Sequence, residues 1–304
     1  MTAPTCPQRR ALLAAWAGLA AATATRAQTP ARGPAAPLPV VLAPFLSPAS
    51  LLALYRPLRE HLERALQRPV EMFTAKDFRS LAEETRRGEH RVVQLPAHLA
   101  RLATLDWGCQ LLAAPAVPVT VVVGVKDGGP VRSAADLRGR SVGMLDPLSL
   151  TATVGRRWLE VQGVAAQVRV VPMASVNSAL FALDRDEIAA FVAADTQLLT
   201  LPPSTPRGER VLASIGDIPG PLWLAGPPLP AHERVALRAA LESYLPDPTV
   251  AQTAANSRQG PLSETRLRRL DAYAAIARQA LVAPVPAAEP TTSPTTAPAV
   301  APKV

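Results

Sequence analysis

Cysteine, histidine and aromatic residues are scarce in this sequence, and several classes of site are excluded as a result. The 304 residues include two cysteines and four histidines, and 4% are aromatic. No Cys/His cluster occurs, and the histidines are not spaced as metal ligands: His61, His90, His98 and His232. No P-loop or dinucleotide-binding glycine pattern is present either. We therefore expect no metal, no cofactor and no enzymatic activity.

Charge of one sign is not concentrated anywhere in the chain. The formal net charge is +8, and the positive residues, mostly arginine, alternate with acidic ones, as in residues 56–64. Proteins that bind nucleic acid usually carry a basic stripe interleaved with aromatic residues, and this sequence has none. We expect solvated helix faces and no nucleic-acid partner.

The first 27 residues have the three parts of an export signal. Arg9-Arg10 precede an apolar run over residues 11–22, and Thr25-Arg26-Ala27 offers a small-residue cleavage site. The apolar run is too short for a comfortable membrane span. Paired arginines suggest the twin-arginine route, but the residues typical around that motif are missing, so Sec export is equally open. The sequence therefore predicts a periplasmic protein.

Cysteine usage after cleavage gives the mature chain no internal disulfide. Removal of residues 1–27 would take Cys6 and leave Cys109 as the only cysteine. Low-complexity segments flank the remaining chain. Residues 28–38 are a Pro-rich linker, and residues 284–304 are a Pro/Ala/Thr-rich tail that is expected to be disordered.

Between the two flanks, short apolar runs alternate with amphipathic segments, which is typical of an α/β fold with parallel strands. Three strands, each followed by a helix, form one lobe: 39–45, 70–73 and 92–95. The run 110–125 crosses to a second set of units, and residues 264–281 are predicted as one helix. We assign 39–117 and 217–283 to lobe 1 and 118–216 to lobe 2, which together form an interlobe cleft.

A hydroxyl-rich turn joins a strand to a helix within residues 136–159. The apolar run 141–145 is broken by Asp146-Pro147, and Ser149, Thr151 and Thr153 stand where a helix N-cap is expected. A helix N-terminus has free backbone N–H groups, which together with hydroxyls favour an anion. The alternative is a plain helix cap that binds nothing.

The segment from about Pro39 to Leu245 resembles the phosphate/phosphite/phosphonate-type substrate-binding proteins of ABC importers. The matching pieces include Pro-Leu-Arg-Glu-His-Leu at 57–62, Ser-Ala-Ala-Asp-Leu-Arg-Gly-Arg-Ser-Val-Gly at 133–143 and Asp-Pro-Leu-Ser-Leu-Thr at 146–151. The resemblance implies the two-lobed type II periplasmic binding protein fold. It also implies that Ser149, with Thr151 and Thr153, holds an oxyanion in the cleft.

Four further residues could reach the ligand, and each has a simpler explanation as a capping or surface residue. Ser47 and Ser50 begin the first helix, His98 begins the third, and Asn177 lies near the start of a second-lobe helix.

Some of the family's residues are replaced in this sequence. The family often has a His near position 175, whereas Val176 and Asn177 follow here, and its Gly-Pro-x-x-Tyr pattern has become residues 95–99, Leu-Pro-Ala-His-Leu. An acidic residue that would bind an amino group is not found at 188–189. We therefore do not expect a ligand that carries an ammonium group.

These observations predict a periplasmic solute-binding protein that captures a small oxyanion, phosphate- or phosphonate-like, for an ABC importer. Its partner would be the membrane permease, and the protein would be a monomer. The alternative is a periplasmic sensory or accessory module that has the same fold, an altered or lost ligand site and a sensor protein as its partner.

Overall fold

Two mixed β-sheets covered by helices form the fold in this computed structural model, which describes residues 36–199 and 201–283. The predicted signal, most of the linker and the tail lie outside the described residues. The described residues from Pro37 onward form one unit, so both sheets belong to the same body. No described helix is long and apolar enough to cross a membrane.

The strands and helices alternate along most of the chain. The strands are β1 (Leu38–Leu42), β2 (Val70–Thr74), β3 (Val92–Leu95), β4 (Gln110–Pro115), β5 (Val119–Lys126), β6 (Ser141–Met144), β7 (Arg169–Pro172), β8 (Ala190–Ala194), β9 (Glu209–Ile218), β10 (Leu222–Ala225) and β11 (Gln259–Gly260). The helices are α1 (Pro48–Leu66), α2 (Phe78–Arg86), α3 (Ala97–Asp106), α4 (Leu150–Val161), α5 (Val176–Asp184), α6 (Asp195–Leu199), α7 (Ala231–Glu242), α8 (Glu264–Arg268) and α9 (Asp271–Val282). The predicted α/β class is confirmed.

The first sheet has the strand order β11-β4-β10-β3-β1-β2, and the second has β7-β6-β8-β5-β9. The βα units pair in parallel, as predicted: β1 with β2 and β3, and β6 with β7 and β8. Two strands that follow a crossing between the sheets are antiparallel to their neighbours: β10 to β3 in the first sheet, and β5 to β8 in the second. The chain runs through these strands in the opposite direction because it arrives from the other sheet. Since parallel strands end at one edge, the turns after β1, β3 and β6 are the places where a ligand site is expected.

Two predictions of secondary structure were wrong. The expected single crossing strand over 110–125 is two strands in different sheets, β4 and β5. The expected helix over 264–281 is divided into α8 and α9, because the N–H of Leu270 bonds the Leu267 carbonyl in a tight turn and buries the Leu270 side chain. The lobe limits given above stay a prediction.

One apolar core continues from the first sheet into the second. It joins Val93 and Leu95 of β3 to Val123 of β5 and Met144 of β6. The helix α9 contacts both α3, which follows a strand of the first sheet, and α4, which follows a strand of the second. Gly155 allows the close approach of α4 to β8, since a Cβ there would lie 3.0 Å from the Val192 methyl carbons.

Candidate oxyanion-binding site

The turn between β6 and α4 is shaped by hydrogen bonds within the sequence Asp-Pro-Leu-Ser. The Asp146 carboxylate accepts the N–H of Leu148 at 2.7 Å, and the Asp146 carbonyl accepts the N–H of Ser149 at 2.8 Å. The Ser149 hydroxyl then accepts the N–H of Ala152 at 3.2 Å. Ser149 is therefore the N-cap of α4, and short-range bonds of this kind explain why the turn could be predicted from sequence.

Three hydroxyls predicted to hold the ligand lie together at this helix start. Ser149 and Thr151 are each 6% exposed, and Thr153 is fully buried. The Ser149 and Thr151 hydroxyl oxygens are 3.2 Å apart, so one of the two protons is used between them and the other can be donated elsewhere. Thr153 donates to the Ser149 carbonyl at 3.0 Å. Its hydroxyl proton is thus already used.

Backbone donors accompany these hydroxyls. No described residue accepts a hydrogen bond from the backbone N–H of Leu150 or Thr151, at the first turn of α4. Such N–H groups carry the positive end of the helix dipole. Two backbone donors and one hydroxyl proton are therefore available for an anion at this turn.

His98 covers this turn from α3, the helix that follows β3. Its Nε2 lies 3.0 Å from the Leu148 carbonyl oxygen, so the ring carries its proton on Nε2 and donates it there. The side chain has no solvent exposure, and burial lowers the pKa of His98 to about 4. Nδ1 has no hydrogen-bond partner among the described residues. His98 is therefore a neutral group that joins the two sheets, rather than an open wall of the cleft.

The remaining predicted site residues are Ser47, Ser50 and Asn177. Among the described residues, their side chains form hydrogen bonds with partners outside the turn. Ser47 and Ser50 are exposed and bond each other at 2.8 Å, with Ser47 as the N-cap of α1. The Asn177 amide oxygen accepts from the buried Thr205 hydroxyl at 2.6 Å. These bonds correspond to the simpler capping and packing explanations given above, and the role of these residues in binding stays a prediction.

Two buried polar residues of the first sheet and its helix α1 were not predicted. Gln94, in β3, and Tyr55, in α1, are fully buried, and the Tyr55 hydroxyl lies beside the Gln94 side chain without a well-aligned hydrogen bond between them. Burial also raises the pKa of Tyr55. The only local signal was a polar residue inside the apolar strand Val-Val-Gln-Leu.

One stretch of the sequence has the letters of a catalytic serine motif, but its serine has a structural role. Residues 139–143, Gly-Arg-Ser-Val-Gly, match the letters of a nucleophile elbow, which requires a serine in a strand-to-helix turn. Ser141 instead opens β6, and its hydroxyl accepts from Arg169 at 2.7 and 3.1 Å. No group of three His, Cys, Asp or Glu side chains suited to a metal ion occurs among residues 36–199 and 201–283.

Similar solved structures show the same fold. XAC2383 from Xanthomonas citri bound to ATP has a TM-score of 0.66 at 16% identity, over 80% of this chain and 97% of that one. PhnD1 from Prochlorococcus marinus in complex with methylphosphonate has a TM-score of 0.66 at 12% identity, over 80% of this chain and 98% of that one. A binding protein component of an ABC phosphonate transporter from Pseudomonas aeruginosa has a TM-score of 0.63 at 15% identity, over 83% and 90%. The predicted type II periplasmic binding fold is confirmed.

A family comparison extends the agreement from fold to function. The family described as ABC transporter, phosphonate, periplasmic substrate-binding protein matches residues 40–266, which is more than half of the chain. No curated protein matches the sequence significantly. The predicted role in an ABC importer is confirmed, and a periplasmic location follows from the family. The chain belongs to the periplasmic substrate-binding proteins of ABC phosphonate transporters.

Proposed function

We propose that the protein binds a small oxyanion of the phosphonate or phosphate class at the start of α4 and delivers it, as a monomer, to the permease of an ABC importer. It catalyses no reaction, and export through the Sec or twin-arginine route brings it to the periplasm. The observation that carries this proposal is the buried pair Ser149 and Thr151 beside the unpaired N–H groups of Leu150 and Thr151.

The chemistry of the turn suits an oxyanion. Backbone and hydroxyl donors at a helix N-terminus bind phosphate-like oxygens without a full countercharge. The buried Arg101 already pairs with Asp271 at 2.6 Å and with Glu264 at 3.1 Å. Neutral donors at the turn, rather than a buried arginine, would therefore hold the ligand.

Calorimetry of the mature protein against methylphosphonate, phosphate, phosphite and sulfate tests the proposal. We expect at least one of these anions to bind. Substituting Ser149→Ala should weaken that binding by roughly 1–3 kcal/mol, because a hydroxyl that donates to a charged ligand is lost. Ser175→Ala is the matched control, since Ser175 caps α5 but is exposed. Absence of binding by all four anions would contradict the transport function.

A sensory or accessory role is the second candidate. The observation that favours it is that His98 bonds Leu148 and the protein itself covers the turn, leaving Ser149 6% exposed. A protein in this role would signal through its fold and could have lost its ligand. Neighbouring genes discriminate between the two functions: a permease and an ATPase support uptake, whereas a sensor kinase or cytochrome supports the accessory role.

A further inference from the structure

A cavity of about 300 Å³ lies at the edge of the second sheet where the parallel strands begin. The strands β6, β7 and β8 all start at this edge, and β5 ends there because it runs antiparallel to β8. The Ser149 turn follows the opposite end of β6, so the cavity is separate from the proposed oxyanion site. We call it the arginine cavity. Its charged lining residues are Lys126, Arg140, Arg169, Asp186 and Glu187.

Uncharged partners hold the two arginines of the cavity in place. Arg169 donates from Nε and Nη2 to the Ser141 hydroxyl oxygen at 3.1 and 2.7 Å. Arg140 donates from Nε to the Asp136 carbonyl at 2.8 Å, while the Asp136 carboxylate accepts two backbone N–H groups that precede it. Among the described residues neither guanidinium forms an ion pair, and no group accepts a hydrogen bond from Nη1 of either arginine. Both arginines therefore keep an uncompensated charge and free donors.

Lys126, at the same edge, is a cation that the protein neutralises itself. Its Nζ donates to the Asp184 carbonyl at 2.9 Å and to both carboxylate oxygens of Asp186 at 2.9 Å. These bonds use all three of its protons. Arg140 and Arg169 have no such partner, and guanidinium groups with free N–H donors are the groups that best bind a carboxylate.

Glu187 gives the cavity a negative wall. It precedes β8, and the strand order β7-β6-β8 places it on the side of β6 away from Arg169. No described residue pairs with its carboxylate, whereas Asp186 is already paired with Lys126. Because neighbouring strands lie about 4.8 Å apart, the two walls are about 10 Å apart at the backbone. A short molecule with an anion at one end and a cation at the other can span this distance.

We propose that the arginine cavity binds a small zwitterion of the amino acid type. The carboxylate of this ligand accepts hydrogen bonds from Arg140 and Arg169, and its ammonium group donates to Glu187. A dianion of the same length would be repelled by Glu187, and an uncharged molecule would leave both arginines without a countercharge. The site is independent of the oxyanion site, so its occupation requires no phosphonate.

A residue-resolved NMR titration of the mature protein tests the cavity and distinguishes it from the Ser149 turn. The probes 3-aminopropionate, propionate and succinate share one carboxylate and differ at the other end, and 4-aminobutyrate, butyrate and glutarate repeat the comparison one methylene longer. We expect one amino compound to shift the signals of Ser141 and Arg169 saturably. It should bind about threefold more tightly than its two analogues, the effect of one partly exposed ion pair.

Four variants assign the contacts. Arg169→Met and Arg140→Met should each weaken binding of the amino compound about tenfold, because hydrogen bonds to a charged group are lost. Glu187→Gln should remove the advantage of the amino compound over its alkyl analogue and keep the binding of the carboxylate. Arg238→Met is the matched control, since Arg238 is exposed and also donates to a backbone carbonyl, that of Leu111, at 3.0 Å. It should bind the amino compound as the wild type does.

Three results would overturn the proposal. These are no saturable shift at residues 139–143 and 169 with any probe, equal binding of the amino compound and its dicarboxylate analogue, and unchanged binding in both arginine variants. Shifts confined to residues 149–153 would assign the probe to the other site and would also overturn it. Methylphosphonate added to the same samples reports on residues 149–153 and so tests the proposed function separately.

Discussion

Two helices of the second sheet begin with the same type of cap, yet only one of the two turns has the features of a site. Ser149 caps α4 after β6, and Ser175 caps α5 after β7. Ser175 and Ser178 satisfy each other: Ser178 N–H donates to Ser175 Oγ at 3.1 Å, and Ser175 N–H donates to Ser178 Oγ at 3.0 Å. The Ser175 turn is exposed, whereas the Ser149 turn is buried beneath His98.

The difference shows that a cap sequence alone does not define an anion site. A capping box uses both of its hydroxyls and two of its N–H groups internally, so fewer donors remain for a ligand. At Ser149 the third helical position is Ala152, which cannot return a bond, and donors stay available. Cover by His98 of α3 then excludes water, which strengthens hydrogen bonds to an anion.

The largest expected effect comes from removing the cover of the Ser149 turn. His98→Ala would leave a cavity and an unpaired Leu148 carbonyl, and we expect a loss of about 4 kcal/mol in the free energy of unfolding. Urea denaturation measures this loss. His98→Gln retains a donor and should recover part of the stability. A loss below about 1 kcal/mol for His98→Ala would show that His98 does not hold the two sheets together.

Acid should affect the Ser149 turn through the same residue. The pKa of His98 is lowered from 6.5 to about 4 by burial. Because the unfolded chain takes up this proton first, stability present above pH 6.5 is lost as the pH falls through about 4. At about 1.4 kcal/mol per pKa unit, the loss at pH 4 is about 3 kcal/mol.

Denaturation across the range from neutral to acidic pH measures this slope, and one other histidine serves as the control. Burial also lowers the pKa of His90, so it contributes a slope of the same sign. His98→Gln should remove most of the pH dependence, whereas His90→Gln should remove only a small part of it. An equal slope in wild type and His98→Gln would assign the acid sensitivity to other groups.

The smallest expected effect is the loss of stability when an N-cap hydroxyl is removed, and it should be equal in the two turns. Ser149→Ala and Ser175→Ala each remove an N-cap hydroxyl, and each should lower the free energy of unfolding by about 1 kcal/mol. Thermal denaturation of the two variants side by side gives the comparison. A much larger loss at Ser149 would mean that the hydroxyl supports packing between the sheets in addition to capping α4.

Local patterns account for what the sequence predicted correctly. Asp146, Ser149 and the apolar run before them form a turn through bonds over a few residues, so the start of α4 was predictable. The alternation of strands and helices gave the fold class for the same reason.

Features that depend on distant contacts could not be predicted. His98 is buried against the Ser149 turn, where the Leu148 carbonyl, 50 residues away in the sequence, accepts its hydrogen bond. Gln94 was overlooked because its surroundings come from α1 and β10, which are remote in sequence. The division between α8 and α9 at Leu270 likewise follows from burial of that side chain in the core shared by both sheets.

The position of α9 constrains how such a cleft could open. This helix contacts α3 and α4 together, and it contributes the small side chains Ala274 and Ala277 to the shared core. A free rotation of one half about a flexible linker would break one of these helix contacts. Sliding of α4 along the surface formed by Ala274 and Ala277 would preserve both helix contacts. We therefore expect the position of α9 to favour a shear motion over a simple hinge.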